Sequence, residues 1–388
     1  MYGLLWLLLP VAAASGWILA KRGTPRGQRR RASDFNTEYF QGLNFLLNEQ
    51  PDKAIEVFIR MLEVDNDTVE THLALGNLFR RRGEVDRAIR IHQNLIARPT
   101  LDKAQRSAAL LELGQDYMRA GWLDRAESLF EELVDGNQHA VPALRHLLDI
   151  YQQEKEWDKA ITVARRLDSE TGQSQMALVA HFYCEQAELA LKQGDDGQAA
   201  QMLKRALGHD KRCVRASLLQ AGMANRTGNC KAALKIFRQV EEQDIDYLPE
   251  ILDPMRQCYE TLNALDAFKA HLREILKLYA GVSPVLMLAD LIARSEGEPA
   301  ALNFMTEQVR KRPSVRGLGR MIELNLAAAT GAGRDDLLIL RDLVAQLLRT
   351  KPVYKCSHCG FAGKTLYWQC PSCKEWNTVK PIHGVEGE

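Results

Sequence analysis

One alanine recurs along this chain at Ala54, Ala88, Ala126, Ala160, Ala199, Ala233, Ala267 and Ala301, at intervals of 34, 38, 34, 39, 34, 34 and 34 residues. Few architectures demand such a period. Any antiparallel helical bundle shows an apolar repeat of 3.6 residues, but a bundle gives no reason for one small residue to return every 34 positions. A stack of helix-turn-helix units does, because each unit buries its apolar face against the next in the same way. Two further positions keep phase. Twelve residues before the alanine stand Gly42, Gly76, Gly114, Leu148, Ala187, Ala221, Met255 and Ala289, mostly small. Four residues after it stand Phe58, His92, Phe130, Ala164, Leu203, Phe237, His271 and Met305. Small residues are needed where two helix backbones cross, and a ring or apolar group fills the space beside the crossing. Turn signals fall between the helices at Arg82-Gly83-Glu84, Ala120-Gly121-Trp122, Gln193-Gly194-Asp195 and Thr227-Gly228-Asn229.

The clearest units, LALGNLFRRRGEVDRAIRIHQNLI, LELGQDYMRAGWLDRAESLFEELV and LLDIYQQEKEWDKAITVARRL, resemble tetratricopeptide repeats. That resemblance covers residues 35–310, about eight units, and residues 311–350 read as further helices that cap the stack. Repeats of this kind present a surface on which a partner segment lies. The first helix of each unit lines it, so Asn77, Arg80, Gln115, Arg145, Asp149 and Gln152 form a candidate partner groove. If so, substituting Arg80 and Arg145 together weakens binding and leaves the fold intact.

Residues 1–20 carry no charged side chain and are long enough to span a bilayer as a helix. Pro10 is tolerated in such a span, and Tyr2 and Trp17 suit its two interfaces. A cleaved signal peptide would need a basic segment first, and none precedes the apolar run. The cations follow it instead, Lys21, Arg22, Arg26, Arg29, Arg30 and Arg31, within a juxtamembrane linker over residues 21–34. The excess of positive charge places everything after residue 21 in the cytoplasm, and the same cations could meet anionic headgroups. The 51 basic and 50 acidic residues nearly cancel, so no global field favours nucleic acid.

Eight cysteines are present. Cys184, Cys213, Cys230 and Cys258 are scattered and read as small buried apolar residues in a reducing compartment. The other four form Cys356-x-x-Cys359 and Cys370-x-x-Cys373, a pattern that can offer four thiolates in a tetrahedron. These are the candidate metal ligands of a ribbon over residues 351–380. His358 lies inside the first knuckle, where a solvent or supporting role suits it better than ligation. Gly360 follows the first pair, Pro371 restrains the second, and Tyr354, Phe361, Tyr367, Trp368 and Trp376 supply aromatic surface with which so small a module packs on the repeats. The knuckles resemble those of rubredoxin, except that Lys374 stands where a glycine usually follows the second pair. One ion fits the donor set; structural zinc is the favoured assignment and iron the alternative. The ribbon is only slightly basic, so nucleic acid is an unfavoured partner, and residues 381–388 read as a disordered tail. No phosphate-binding glycine loop, H-E-x-x-H or G-x-S-x-G motif occurs, which argues against an enzyme. His92 and His271 share one repeat phase, as packing residues would.

The expected fold is therefore all-α, a superhelical tetratricopeptide solenoid with an N-terminal transmembrane helix and a small C-terminal rubredoxin-like zinc ribbon. From the residues alone it is a membrane-tethered scaffold, with an iron-binding redox protein and a nucleic-acid-associated zinc-ribbon protein as rivals. The order of anchor, basic stop, repeats and terminal knuckles, with YKCSHCGF and CPSCKEW as the most specific stretches, resembles the lipopolysaccharide assembly protein B family. The resemblance implies an inner-membrane, cytoplasm-facing adaptor that promotes degradation of the LpxC deacetylase by the membrane protease FtsH. It also implies opposition by an inner-membrane sensor of lipopolysaccharide supply.

Overall fold

In a computed structural model of the chain the described residues are 40–388, apart from 46, 49, 65–68 and 386. The expected membrane anchor and basic linker lie outside them. Among the described residues no helix is long and apolar enough to cross a membrane. The described residues divide into two compact units, one ending at Lys155 and the other beginning at Glu156.

In the first unit a helical stretch over residues 40–45 precedes α1 (Pro51–Val64), α2 (Val69–Arg81), α3 (Val85–Ile96), α4 (Lys103–Ala120), α5 (Leu123–Asp135) and α6 (Ala140–Glu154). The expected phase residues meet. A methyl group on Gly42 would fall 2.7 Å from the Phe58 ring, on Gly76 2.3 Å from His92, and on Gly114 2.5 Å from Phe130. Each crossing is thus closed by a glycine on the first helix against a ring on the second, and Ala54, Ala88 and Ala126 are wholly buried beside it. His92 takes the place of a phenylalanine and needs a polar partner, because an unsatisfied buried ring nitrogen is costly. It has one in Asp116 of α4, whose carboxylate lies 2.5 Å from Nδ1. Gly83 and Gly121 close the turns between paired helices in the left-handed region.

The second unit continues the hairpins with α7 (Trp157–Thr171), α8 (Met176–Gln193), α9 (Asp196–His209), α10 (Val214–Arg226) and α11 (Cys230–Gln243). A 3-10 turn (Ile245–Tyr247) leads into α12 (Leu248–Thr261), α13 (Leu265–Leu278), α14 (Ser283–Glu296) and α15 (Glu298–Lys311). The four scattered cysteines are all buried here, as their spacing implied. One further hairpin, α16 (Val315–Ala328) and α17 (Ala332–Thr350), follows α15. Beyond it a three-stranded antiparallel sheet forms from β1 (Tyr354–Cys356), β2 (Ala362–Gly363) and β3 (Val379–Pro381), in the order β2-β1-β3.

The expectation of a disordered tail over residues 381–388 fails. Pro381 ends β3, the Ile382 amide donates to Val353 O, and Val315 N donates to Val385 O. The Glu388 carboxylate accepts from Ser283 N at the start of α14 and pairs with Arg316 of α16 at 2.8 Å. A buried acidic group here satisfies a helix N-terminus and an arginine at once.

Candidate metal centre and its docking face

Each Cys-x-x-Cys pair builds the same turn. Cys356 N donates to Phe361 O and Gly360 N to Cys356 O; Cys370 N donates to Glu375 O and Lys374 N to Cys370 O. The two knuckles are therefore internal equivalents, each a six-residue loop closed by two backbone hydrogen bonds. Gly360 and Lys374 occupy matching places, and both have positive φ, 79° and 63°. The glycine missing from the second knuckle leaves a lysine in a conformation that favours glycine.

The four sulfurs converge. All lie within 4.8 Å of one another, with Cys356 Sγ 3.8 Å from Cys373 Sγ and Cys359 Sγ 3.6 Å from Cys370 Sγ. A tetrahedral thiolate site with metal–sulfur bonds of about 2.3 Å has sulfur–sulfur edges of about 3.8 Å, so the donor set fits one ion. The separations are far from the ~2.05 Å of a disulfide. Cys356 and Cys370 are buried, whereas Cys359 is exposed and Cys373 half-buried, so the centre sits at the ribbon surface. His358 is exposed and does not join the cluster.

The local electrostatics suit a cation. Burial raises the Cys356 thiol, but Thr378 Oγ1 at 3.3 Å and the amides of Cys359 and His358 outweigh it and bring the thiol down to about 6. Cys359 is lowered as well, chiefly by the Phe361 amide. Cys373 is pushed up to about 12, by burial and then by its three sulfur neighbours, against the Glu375 amide. The cluster thus releases its first protons readily and holds its last, the behaviour of four thiols that need a central positive charge to ionise together.

The ribbon does not stand alone. Its two tryptophans pack on the helices of the second unit. Trp376 stacks on His181 of α8 (centroids 5.2 Å) and meets Phe182 and Trp157 edge-on at 5.9 and 6.4 Å. Trp368 stacks on Tyr247 at 5.4 Å. Between the two rings lies the Arg215 guanidinium, 5.9 and 5.8 Å from their centroids and paired to Glu185 and Glu188. A polar margin surrounds them: Tyr247 Oη donates to Asn377 Oδ1 at 2.7 Å, Tyr354 Oη donates to Glu250, and Lys380 pairs with Asp244. Aromatic docking of the ribbon on the repeats is as the composition implied; Phe361 and Tyr367, by contrast, pack on each other within the ribbon. His181, Arg215 and Tyr247 were not singled out in the sequence, because nothing in the repeat phase marks a residue that contacts the chain more than a hundred positions later.

The six groove candidates all fall in the first unit. Arg80 is committed to α4: it pairs with Glu112 at 2.6 Å and with buried Asp116 at 2.8 Å, and donates to Gln115 Oε1 at 3.1 Å. Arg80 and Gln115 are thus brought together as a strut between consecutive hairpins. The expectation that Arg80 can be replaced without cost to the fold is corrected on this ground. Asn77 is half-buried on α2. On α6, Gln152 donates to Leu148 O at 3.1 Å, while Arg145 and Asp149 are exposed one helical turn apart.

Comparison with known proteins accords with this geometry. Residues 354–381 match the family described as "Rubredoxin metal binding domain", and residues 71–106, 111–174 and 184–247 match tetratricopeptide repeat families. Lipopolysaccharide assembly protein B of Escherichia coli K12 is 41% identical over 388 residues, covering all of both chains. The chain belongs to the lipopolysaccharide assembly protein B family. The Haemophilus influenzae member is 39% identical over 396 residues, again across the whole of both chains. Among solved structures, MamA is 21% identical with a TM-score of 0.35, covering 46% of this chain and 92% of MamA. PilW, a type IV pilus biogenesis factor, is 16% identical with a TM-score of 0.35, covering 52% of this chain and 90% of PilW. At that level they add nothing to the fold described above.

Proposed function

We propose that this member of the lipopolysaccharide assembly protein B family is a non-enzymatic adaptor in lipopolysaccharide assembly, held at the inner membrane by residues 1–20 with the repeats in the cytoplasm. The adaptor brings the LpxC deacetylase to the membrane protease FtsH, and an inner-membrane lipopolysaccharide sensor opposes it. The observation that carries this reading is identity of 41% along the whole length to a relative named for that assembly process. The repeats and the docked ribbon support it, since both build surfaces for protein partners rather than a reaction cleft. Membrane partners would meet the anchor and its basic flank. Crosslinking pull-down from membranes tests the reading: the full chain should enrich protease and deacetylase together, and a chain lacking residues 1–20 should lose the protease. Recovery of neither by the full chain would refute it.

The four thiolates hold zinc in this reading, as a clamp that lets a small ribbon keep its docking face. The short loop between the pairs and Lys374 in place of a glycine favour zinc over an electron-transfer iron. Metal analysis with an absorption spectrum decides the point, and a visible thiolate-to-iron band would reverse the assignment.

A further inference from the structure

Two thiols meet beside the docking face. Cys184 of α8 and Cys213, which caps the start of α10, have sulfurs 3.9 Å apart and are 0 and 3% exposed. They bracket the ion pair that steadies the face. Cys184 precedes Glu185, and Cys213 stands two residues before Arg215. Arg215 pairs with Glu185 at 2.8 Å and lies against the rings of Trp368 and Trp376.

The two sulfurs differ in character. Cys213 is lowered by the hydrogen bond from Cys184 and, against burial, by the Ala216 amide at the helix N-terminus. Cys184 is raised, first by that same bond and then by burial. Cys213 is thus the member that ionises and Cys184 the one that keeps its proton. Cys258 makes a contrast: it donates to Asn225 Oδ1 at 3.3 Å and is pushed up to about 12, first by burial. Cys213 also follows the exposed turn at Lys211 and Arg212, which Gln243 holds through Lys211 O and Arg212 Nη2. A small oxidant reaches the sulfur when that turn opens.

We propose that Cys184 and Cys213 form a redox switch for ribbon docking, driven by a peroxide. The Cys213 thiolate attacks one peroxide oxygen and the O–O bond breaks. The departing hydroxide takes up the proton that Cys213 lost, giving water and a Cys213 sulfenic acid. The Cys184 sulfur then attacks the Cys213 sulfur; the S–S bond forms, the S–O bond breaks, and the leaving hydroxide takes the Cys184 proton as a second water. The two thiols lose two electrons to the peroxide, and a thiol reductant reverses the change. A disulfide needs the sulfurs about 2 Å closer than they stand. Closing that gap draws the first turn of α10 toward α8, moves Arg215 from its place against the two tryptophans and loosens the ribbon.

The test uses the full metal-loaded chain treated with a few equivalents of hydrogen peroxide, with free thiols then trapped by N-ethylmaleimide for peptide mapping. The Cys184–Cys213 link should exceed any Cys230–Cys258 link about ten-fold. Tryptophan emission should shift to the red with the same time course, and dithiothreitol should reverse both. The Cys184→Ser chain keeps all four ribbon cysteines, so oxidation there is common to both chains and the difference isolates the pair; this variant should lose the link and most of the reversible shift. Should the variant fail to fold, peptide mapping and emission of the native chain decide alone. Cys184 and Cys213 both recovered with the maleimide, a link that forms without any change in emission, or an equal reversible shift in a folded Cys184→Ser chain would overturn the proposal.

Discussion

Gly360 and Lys374 do the same job with different chemistry. Each turns the chain out of a knuckle with positive φ, and only the glycine does so without a Cβ penalty. Lys374→Gly should therefore raise the stability of the ribbon by about 1 kcal/mol, read as a later loss of docking in a thermal melt; a variant that melts earlier would show that the lysine side chain holds something. Arg80 is the opposite case. Its guanidinium is one of two partners of a carboxylate with no solvent exposure, the other being His92. Arg80→Ala leaves Asp116 half-served, and the cost of breaking a buried charged pair predicts a loss of about 3 kcal/mol in a denaturant titration. An unchanged midpoint would return Arg80 to the list of free groove residues. The sequence places Arg80 on the partner-facing side of a helix and shows its charge; Glu112 and Asp116, which claim that charge, lie more than thirty positions away, and no spacing rule connects them.

At the scale of elements, the hairpins were legible because their contacts repeat. Gly42 with Phe58 and Gly114 with Phe130 obey one phase, so a residue type at one position implies the type it meets. The ribbon's ligand set was legible because chelation fixes spacing. Its docking face was not: His181, Arg215 and Tyr247 meet Trp368 and Trp376 through a contact that occurs once, and period cannot announce a contact that occurs once. That face should be sensitive to acid. Burial first, and then the neighbouring Arg215, lower His181 from its ordinary 6.5 to about 3. Above pH 6.5 neither state carries the proton. Between 6.5 and 3 only the undocked or unfolded state does, so docking weakens as pH falls, by up to about 1.4 kcal/mol per unit. Tryptophan fluorescence should report the loosening, and His181→Phe should abolish that part of it; an identical acid profile in the variant would assign the step elsewhere. Stripping the metal with a chelator at neutral pH should likewise release Trp368 and Trp376 to solvent while far-ultraviolet dichroism stays largely helical. Unaltered fluorescence in a verified metal-free sample would mean that the aromatic contacts hold the ribbon alone.

For the whole molecule, the repeats supply surface and the ribbon with its four converging cysteines packs on part of it; in the proposed adaptor function the centre would act on partner binding. The last turn of the tail shows how far this goes: Glu388, expected to lie in a disordered tail, is 5% exposed and tied to Ser283 and Arg316. The adaptor reading makes one demand that no other reading shares, namely that the chain shortens the life of another protein. The direct measurement is the half-life of the LpxC deacetylase after synthesis is blocked, in cells depleted of this protein and then supplied with the native chain or with the Cys356→Ser, Cys373→Ser variant at matched levels. Depletion should lengthen the half-life several-fold, the native chain should restore it, and the ribbon variant should not. A half-life unchanged by depletion would contradict the adaptor function outright.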